Sequence, residues 1–145
     1  MSRRFQITVD CADPHRLAEW WADVLGWEVE PTDESFIRSM VEQGHASDDE
    51  TTTYAGALVW KDGAAIAAPD ADAESACARI LFQAVPEPKT VKNRLHLDID
   101  VGADRCAIEA ERLVAAGATL LHHGQQGPQR WITLADPEGN EFCIT

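Results

Sequence analysis

The chain has 145 residues, 45% of them hydrophobic, enough for one compact domain or two small subdomains sharing a core. Its 25 acidic and 12 basic side chains give a formal net charge of −13, which repels a polyanion and argues against nucleic acid as a partner. No apolar run approaches a membrane span, and MSRRFQITVD passes into a strand pattern without a signal-peptide core, so a cytoplasmic protein with no membrane partner is expected.

Phe5 to Asp10 (FQITVD) alternates strictly, with Phe5, Ile7 and Val9 on one face and Gln6, Thr8 and Asp10 on the other, as in a half-buried strand. Asp13 and Pro14 then form a helix start, Leu17, Trp20, Trp21, Val24 and Leu25 make its apolar stripe, and Gly26 is placed to end it. Trp27 to Pro31 reads as the next strand. An insertion near 33–52 follows, with a short amphipathic helix around Phe36, Ile37, Met40 and Val41 and then an acidic loop at Asp48, Asp49 and Glu50. Strands are expected near Ala55–Trp60 and Arg79–Val85, with KDGAAIAAPDADAESA between them as a surface loop.

The pattern then repeats. Leu95 to Asp100 (LHLDID) matches FQITVD, with Leu95, Leu97 and Ile99 opposing His96, Asp98 and Asp100. Cys106, Ala110, Leu113 and Val114 stripe a second helix ended by Gly117, and strands are expected near Ala118–His123, Gln129–Ala135 and Asn140–Thr145. ILFQAV (Ile80 to Val85) lines up with NEFCIT, placing Phe82 with Phe142 and Gln83 with Cys143. Each half therefore reads strand, helix, three strands, with one module over 1–88 and another over 89–145.

With helices on the apolar sides, the other faces carry Gln6, Thr8, Asp10, Gln83, His96, Asp98, Glu141 and Cys143, joined by Trp131 and by Trp60 and Trp27 as further candidates. Polar groups among aromatics suit a small-molecule pocket. A pseudo-twofold pairing Gln6 with His96 and Gln83 with Cys143 would bring all four to the centre of a cup. Of the four cysteines (Cys11, Cys77, Cys106, Cys143) none makes a C-x-x-C pair, so no disulfide framework is expected; Cys106 reads as core packing. Cys143 has two simple readings, a nucleophile activated by a neighbour such as His96 or a small filler in a pocket wall. Asp98 reads as a general base or as a partner of Arg94 or Arg4, and Glu141 as a base or ligand at the rim. His122 and His123, adjacent on one strand, point to opposite faces and read as surface or rim residues. KTVKNR is either a mouth for an anionic substrate or a soluble linker.

The paired βαβββ halves, DCADPHRLAEWWADVLGWEVE, KNRLHLDIDV and above all the turn in LADPEGNEFCIT resemble the vicinal oxygen chelate superfamily, the glyoxalase/bleomycin resistance/dioxygenase fold, and within it the small bacterial glyoxalase-like domain proteins. The resemblance covers nearly the whole chain. It implies an α+β protein whose two tandem βαβββ modules have mixed sheets forming a cup, as one domain, paired into a homodimer. In catalytic members the first strand of each half supplies His or Gln and the last supplies Glu, together holding one divalent metal. The corresponding slots here are Gln6, Gln83, His96 and Cys143; both glutamates are missing. The resemblance thus implies a glyoxalase/dioxygenase-like protein acting on a small organic molecule, with Glu141 and Asp98 as catalytic candidates and Gln6, Thr8, Gln83, His96, Trp131 and Cys143 lining the pocket. It also implies a metal site at Gln6, His96 and Cys143 for Zn, Ni, Mn or Fe. The alternative is a non-catalytic protein that sequesters its ligand, as antibiotic-resistance members do.

Overall fold

In the computed structural model, which describes residues 5–69 and 79–145, the alternating stretch after Phe5 becomes β1 (Ile7–Cys11). The helix that follows is α1 (Pro14–Leu25). The Asp13 carboxylate accepts the Arg16 N–H at 3.2 Å, and Gly26 closes the helix at φ +65°, a left-handed conformation that glycine adopts without a Cβ clash. Then come β2 (Glu28–Val29), α2 (Glu34–Glu42), one 3-10 turn (Asp48–Glu50), β3 (Thr51–Tyr54), β4 (Ala57–Trp60), β5 (Gly63–Ala67) and β6 (Arg79–Ala84). The later elements are β7 (Asp98–Ile99), α3 (Cys106–Ala115), β8 (Thr119–Gln126), β9 (Gln129–Ala135) and β10 (Glu141–Ile144). The chain divides into two compact units, Met1–Pro88 and Lys89–Thr145.

Each unit is built around one four-stranded mixed sheet. In the first the order is β1-β6-β5-β2, and in the second β7-β10-β9-β8. In both, the first and last strands run parallel side by side and the remaining pairs are antiparallel. This is the βαβββ pattern twice. In the first unit Leu17, Ala18 and Trp21 of α1 share a core with Ile66, Ile80 and Phe82, all at most 4% exposed. In the second, Ala110 and Leu113 of α3 are buried, as are Leu134, Phe142 and Ile144. Burying each of these large apolar side chains is worth roughly 1.5–3 kcal/mol.

Three expectations are corrected. The third strand of the first sheet is Gly63–Ala67, read from sequence as surface loop, while Ala57–Trp60 pairs with Thr51–Tyr54 in a separate hairpin. The hairpin closes through Ala55 (φ +48°) and Gly56 (φ +84°), the positive-φ pair that matches strand twist. GAAIA offers one branched residue, Ile66, among four small ones, a weak strand signal, but its pairing to β6 over five residues satisfies its backbone. Second, the acidic stretch Asp48–Glu50 is a 3-10 turn leading into β3. Third, the second apolar stripe is weaker than its sequence suggests. Leu95 is 88% exposed because the β7 ladder begins only at Asp98, Val114 is 43% exposed, and Cys106 is half-buried at the start of α3, its thiol donating to the Gly102 carbonyl. The loop reading beyond Pro69, Cys77, and a pairing of Asp98 with Arg4 lie outside the described residues.

The hairpin is held to α1 by polar contacts. His15 stacks on Tyr54 with ring centroids 4.9 Å apart, its Nε2 lies 2.8 Å from the Trp60 carbonyl, and the Tyr54 hydroxyl donates to Glu19 at 2.7 Å. The hydrogen bond to Glu19, with burial second, pushes the Tyr54 phenol from 10.0 to about 12. A raised pKa means the bond contributes fully below the ordinary phenol value and is lost as pH rises through about 12. Tyr54 is the chain's single tyrosine, so phenolate absorbance reads it alone. We expect a midpoint near 12, falling back toward 10.0 in Glu19→Gln; an unshifted wild-type midpoint would contradict the contact.

Candidate functional site

The exposed face of the second unit's sheet is organised by cross-strand register. Cys143 of β10 stands opposite Asp98 of β7 on one side and Thr133 of β9 on the other, and Thr133 stands opposite His122 of β8. Directly paired residues project to the same side, so these four form a row across the sheet, with His96 two residues before Asp98. His96 Nε2 lies 3.2 Å from Asp98 Oδ1. Thr133 Oγ1 lies 3.4 Å from Cys143 Sγ and 3.2 Å from His122 Nε2. The ligand atoms of His96, Asp98 and Cys143 all fall within 4.8 Å of one another. Cys143 and Thr133 are buried beneath the exposed His96 and Asp98.

The parity expected of Cys143 therefore holds: Phe142 and Ile144 are fully buried on the other face. Burial pushes the Cys143 thiol up, the Thr133 hydroxyl pulls it down, and the Asp98 charge raises it again. The resting thiol is protonated, which weakens the nucleophile reading. Asp98 partners His96 rather than Arg94. His122 joins the site face through Thr133, so its reading as a rim residue is incomplete. A bulge between Leu120 and His122 shifts the β8 register there, and sequence alternation could not show it.

Glu141, a catalytic candidate by strand parity, is engaged elsewhere. Its carboxylate takes Lys89 Nζ at 3.0 Å and the Asn93 N–H at 3.0 Å. Burial pulls its pKa up, but these hydrogen bonds and the Lys89 charge outweigh it and hold the group at about 2. The same contacts give KTVKNR a structural task, tying residues 89–93 to the start of β10. Trp131 lies on the site face of β9, opposite Gly124. A Cβ at Gly124 would fall inside the Trp131 indole, so the ring lies flat on the glycine backbone. Gly124→Ala is expected to drive Trp131 from this position at a cost of about 1–3 kcal/mol. Tryptophan fluorescence and thermal unfolding check it; an unchanged spectrum would contradict the packing.

In the first unit the equivalent face carries Gln6, Thr8, Asp10, Leu81 and Gln83, with Gly63 and Ala65 of β5 paired to Gln83 and Leu81. Gln6 is exposed, donates to Thr8 Oγ1 at 3.3 Å and accepts from Arg79. Thr8 is exposed, and Gln83 lies on the floor of a cavity of about 710 Å³. Phe36 and Ile37 of α2 also line this cavity, so the insertion helix forms part of its wall. The registers also correct the repeat. Cys143 pairs with Asp98, but Gln83 pairs with Asp10 and Thr8 with Leu81. If Gln6 is equivalent to His96, then Leu81 and not Gln83 takes the place of Cys143. The first unit thus offers an apolar side chain at the slot where the second offers a thiol.

The glyoxalase-like domain family matches residues 6–145, and the chain belongs to it. Solved structures with the same fold include a glyoxalase/bleomycin resistance protein/dioxygenase family enzyme from Burkholderia phytofirmans PsJN, 17% identical over 96% of this chain and 94% of that one, TM-score 0.58. A mutant of the fosfomycin resistance protein FosX from Listeria monocytogenes, complexed with manganese(II) and 1S,2S-dihydroxypropylphosphonic acid, is 11% identical over 99% and 89%, TM-score 0.63. The oxidase ChaP-H2 is 16% identical over 99% and 91%, TM-score 0.58. No curated protein matches the sequence. Among the described residues no helix is long and apolar enough to cross a membrane.

The donor set at His96, Asp98 and Cys143 fits a divalent metal. To His96 and Cys143, expected as ligands from the family resemblance, Asp98 adds an anionic oxygen. Imidazole nitrogen, thiolate sulfur and carboxylate oxygen together suit Zn²⁺ better than a hard cation.

Proposed function

We propose that this glyoxalase-like protein binds a small organic molecule, and that its second unit holds a zinc-type metal on His96, Asp98 and Cys143 to act on an oxygen of that molecule. The observation that carries the reading is the meeting of three chemically different donors within 4.8 Å on one sheet face. Three protein ligands leave a position for substrate, the arrangement of catalytic rather than structural zinc. When bound, such an ion supplies Lewis-acid polarisation of a ligand oxygen. The chain's own residues do the rest. Thr133 holds the Cys143 sulfur in place and its hydroxyl supports a thiolate, His122 orients that hydroxyl, and Asp98 orients the His96 ring. Gln6, expected as a ligand from the family pattern, stays in the proposal as a candidate. Glu141 leaves it, because its carboxylate is committed to Lys89 and Asn93. We further propose that the modules 1–88 and 89–145 work as one domain of a cytoplasmic, bacterial homodimer; a monomeric mass at micromolar concentration would argue against the dimer.

The second reading is a sequestering protein without chemistry. Leu81 at the slot opposite Thr8, and the neutral Gln83, favour it. Metal analysis of protein purified without chelator separates the two. Stoichiometric zinc, lost in His96→Ala, supports the metal reading; metal-free protein that takes up no zinc on titration supports the sequestering one.

A further inference from the structure

The cavity of the first unit owes its volume to small side chains. On its floor β5 contributes Gly63 and Ala65, which face Gln83 and Leu81 across the ladder and leave the space that larger residues would fill. Its wall is apolar and aromatic, with Phe36 and Trp60 lining it; Phe36 is 52% exposed. Its charge is one-sided. Among the described residues, four carboxylates line it (Glu30, Asp33, Glu50 and Asp62) against a single guanidinium, Arg79. That guanidinium is already engaged by Glu30 through bonds of 2.7 and 2.9 Å. Two of the other carboxylates are held in position: Asp33 accepts the Phe36 N–H at 3.0 Å, and Glu50 accepts the Ser47 N–H at 2.7 Å.

We infer that this cavity takes an organic cation, an amine or quaternary ammonium carrying an apolar body. The inference rests on the reading that the protein binds a small organic molecule and names its class. Fixed carboxylates are ready to meet a positive charge without reorganising, and Trp60 and Phe36 offer both apolar area and π-faces, which attract ammonium groups. An anion entering the same space meets net negative charge. The cavity therefore differs in its demand from a site that takes a phosphonate, such as that of the FosX complex.

The test is calorimetric titration of the full chain with benzyltrimethylammonium, benzyl alcohol and benzylphosphonate. The ammonium is expected to bind on the order of 10-fold more tightly than the alcohol, with the phosphonate weakest. Its affinity should fall as salt rises, and several-fold in Asp62→Asn. Circular dichroism of that variant checks that it folds, and the salt dependence of the wild type carries the charge argument independently. If the alcohol or the phosphonate binds as well as the ammonium, the cation inference is overturned while small-molecule binding survives. If none of the three binds, both fall.

Discussion

Replacing Asp136 by alanine is expected to lower stability by about 3 kcal/mol, a fall in Tm of roughly 10 °C. Asp136 is 2% exposed and begins the turn DPEGN. One carboxylate oxygen accepts the N–H groups of Glu138 and Asn140, both at 2.9 Å, and the side-chain amide of Asn140 reaches both oxygens. The backbone closes the same loop, with the Asp136 N–H on the Asn140 carbonyl and the Gly139 N–H on that of Asp136. Alanine removes the acceptor and leaves those N–H groups without a partner in a half-buried turn, which costs more than the bond itself is worth. Asp136→Asn keeps one acceptor oxygen and should lose about half as much. Thermal unfolding of the two variants checks the order; an alanine variant as stable as wild type would contradict it. The turn also sets where β10 begins, and so where Cys143 stands.

That turn shows how far the sequence could be read. Five residues dense in turn formers, followed by alternation to the end of the chain, carry both the local structure and the family resemblance. The repeat was legible for the same reason: FQITVD and LHLDID alternate, and α1 has both of its caps written in the sequence, Asp13 by its side chain and Gly26 by its lack of one. Gly63–Ala67 was not legible, because a strand of small residues has no periodic apolar signal and is held by its neighbours. The site was half legible. Parity placed Cys143, Asp98 and His96 on one face. It could not give the β8 bulge that turns His122 toward Thr133, nor the ladder offset that exchanges Gln83 for Leu81. Register between strands is a long-range property that no window of sequence contains. Nor could spacing foresee that Lys89 and Asn93, some fifty positions earlier, would occupy Glu141.

The second large effect concerns the proposed metal. If His96, Asp98 and Cys143 are ligands, His96→Ala or Cys143→Ser should weaken zinc binding by more than the roughly 10–100-fold typical of residues that only support a ligand. Thr133→Val, which removes the hydroxyl beside the sulfur and keeps the shape, should fall within that 10–100-fold range. Asp98→Asn removes the anionic oxygen and releases His96, so it should resemble the ligand variants. Gln6→Ala is the informative control: an effect as large as that of Cys143→Ser would make Gln6 a ligand, and no effect would confine the metal to the second unit. Competition against a chromogenic chelator measures each affinity.

The most direct measurement is titration of the wild-type protein with cobalt(II), the spectroscopic substitute for zinc, while following thiolate-to-metal charge transfer in the near ultraviolet. We expect that band to grow to saturation at one equivalent in wild type, to be absent in Cys143→Ser, and to weaken in Asp98→Asn. A wild-type protein that takes up cobalt without a thiolate band, or a band that survives in Cys143→Ser, would contradict a metal centre built on Cys143.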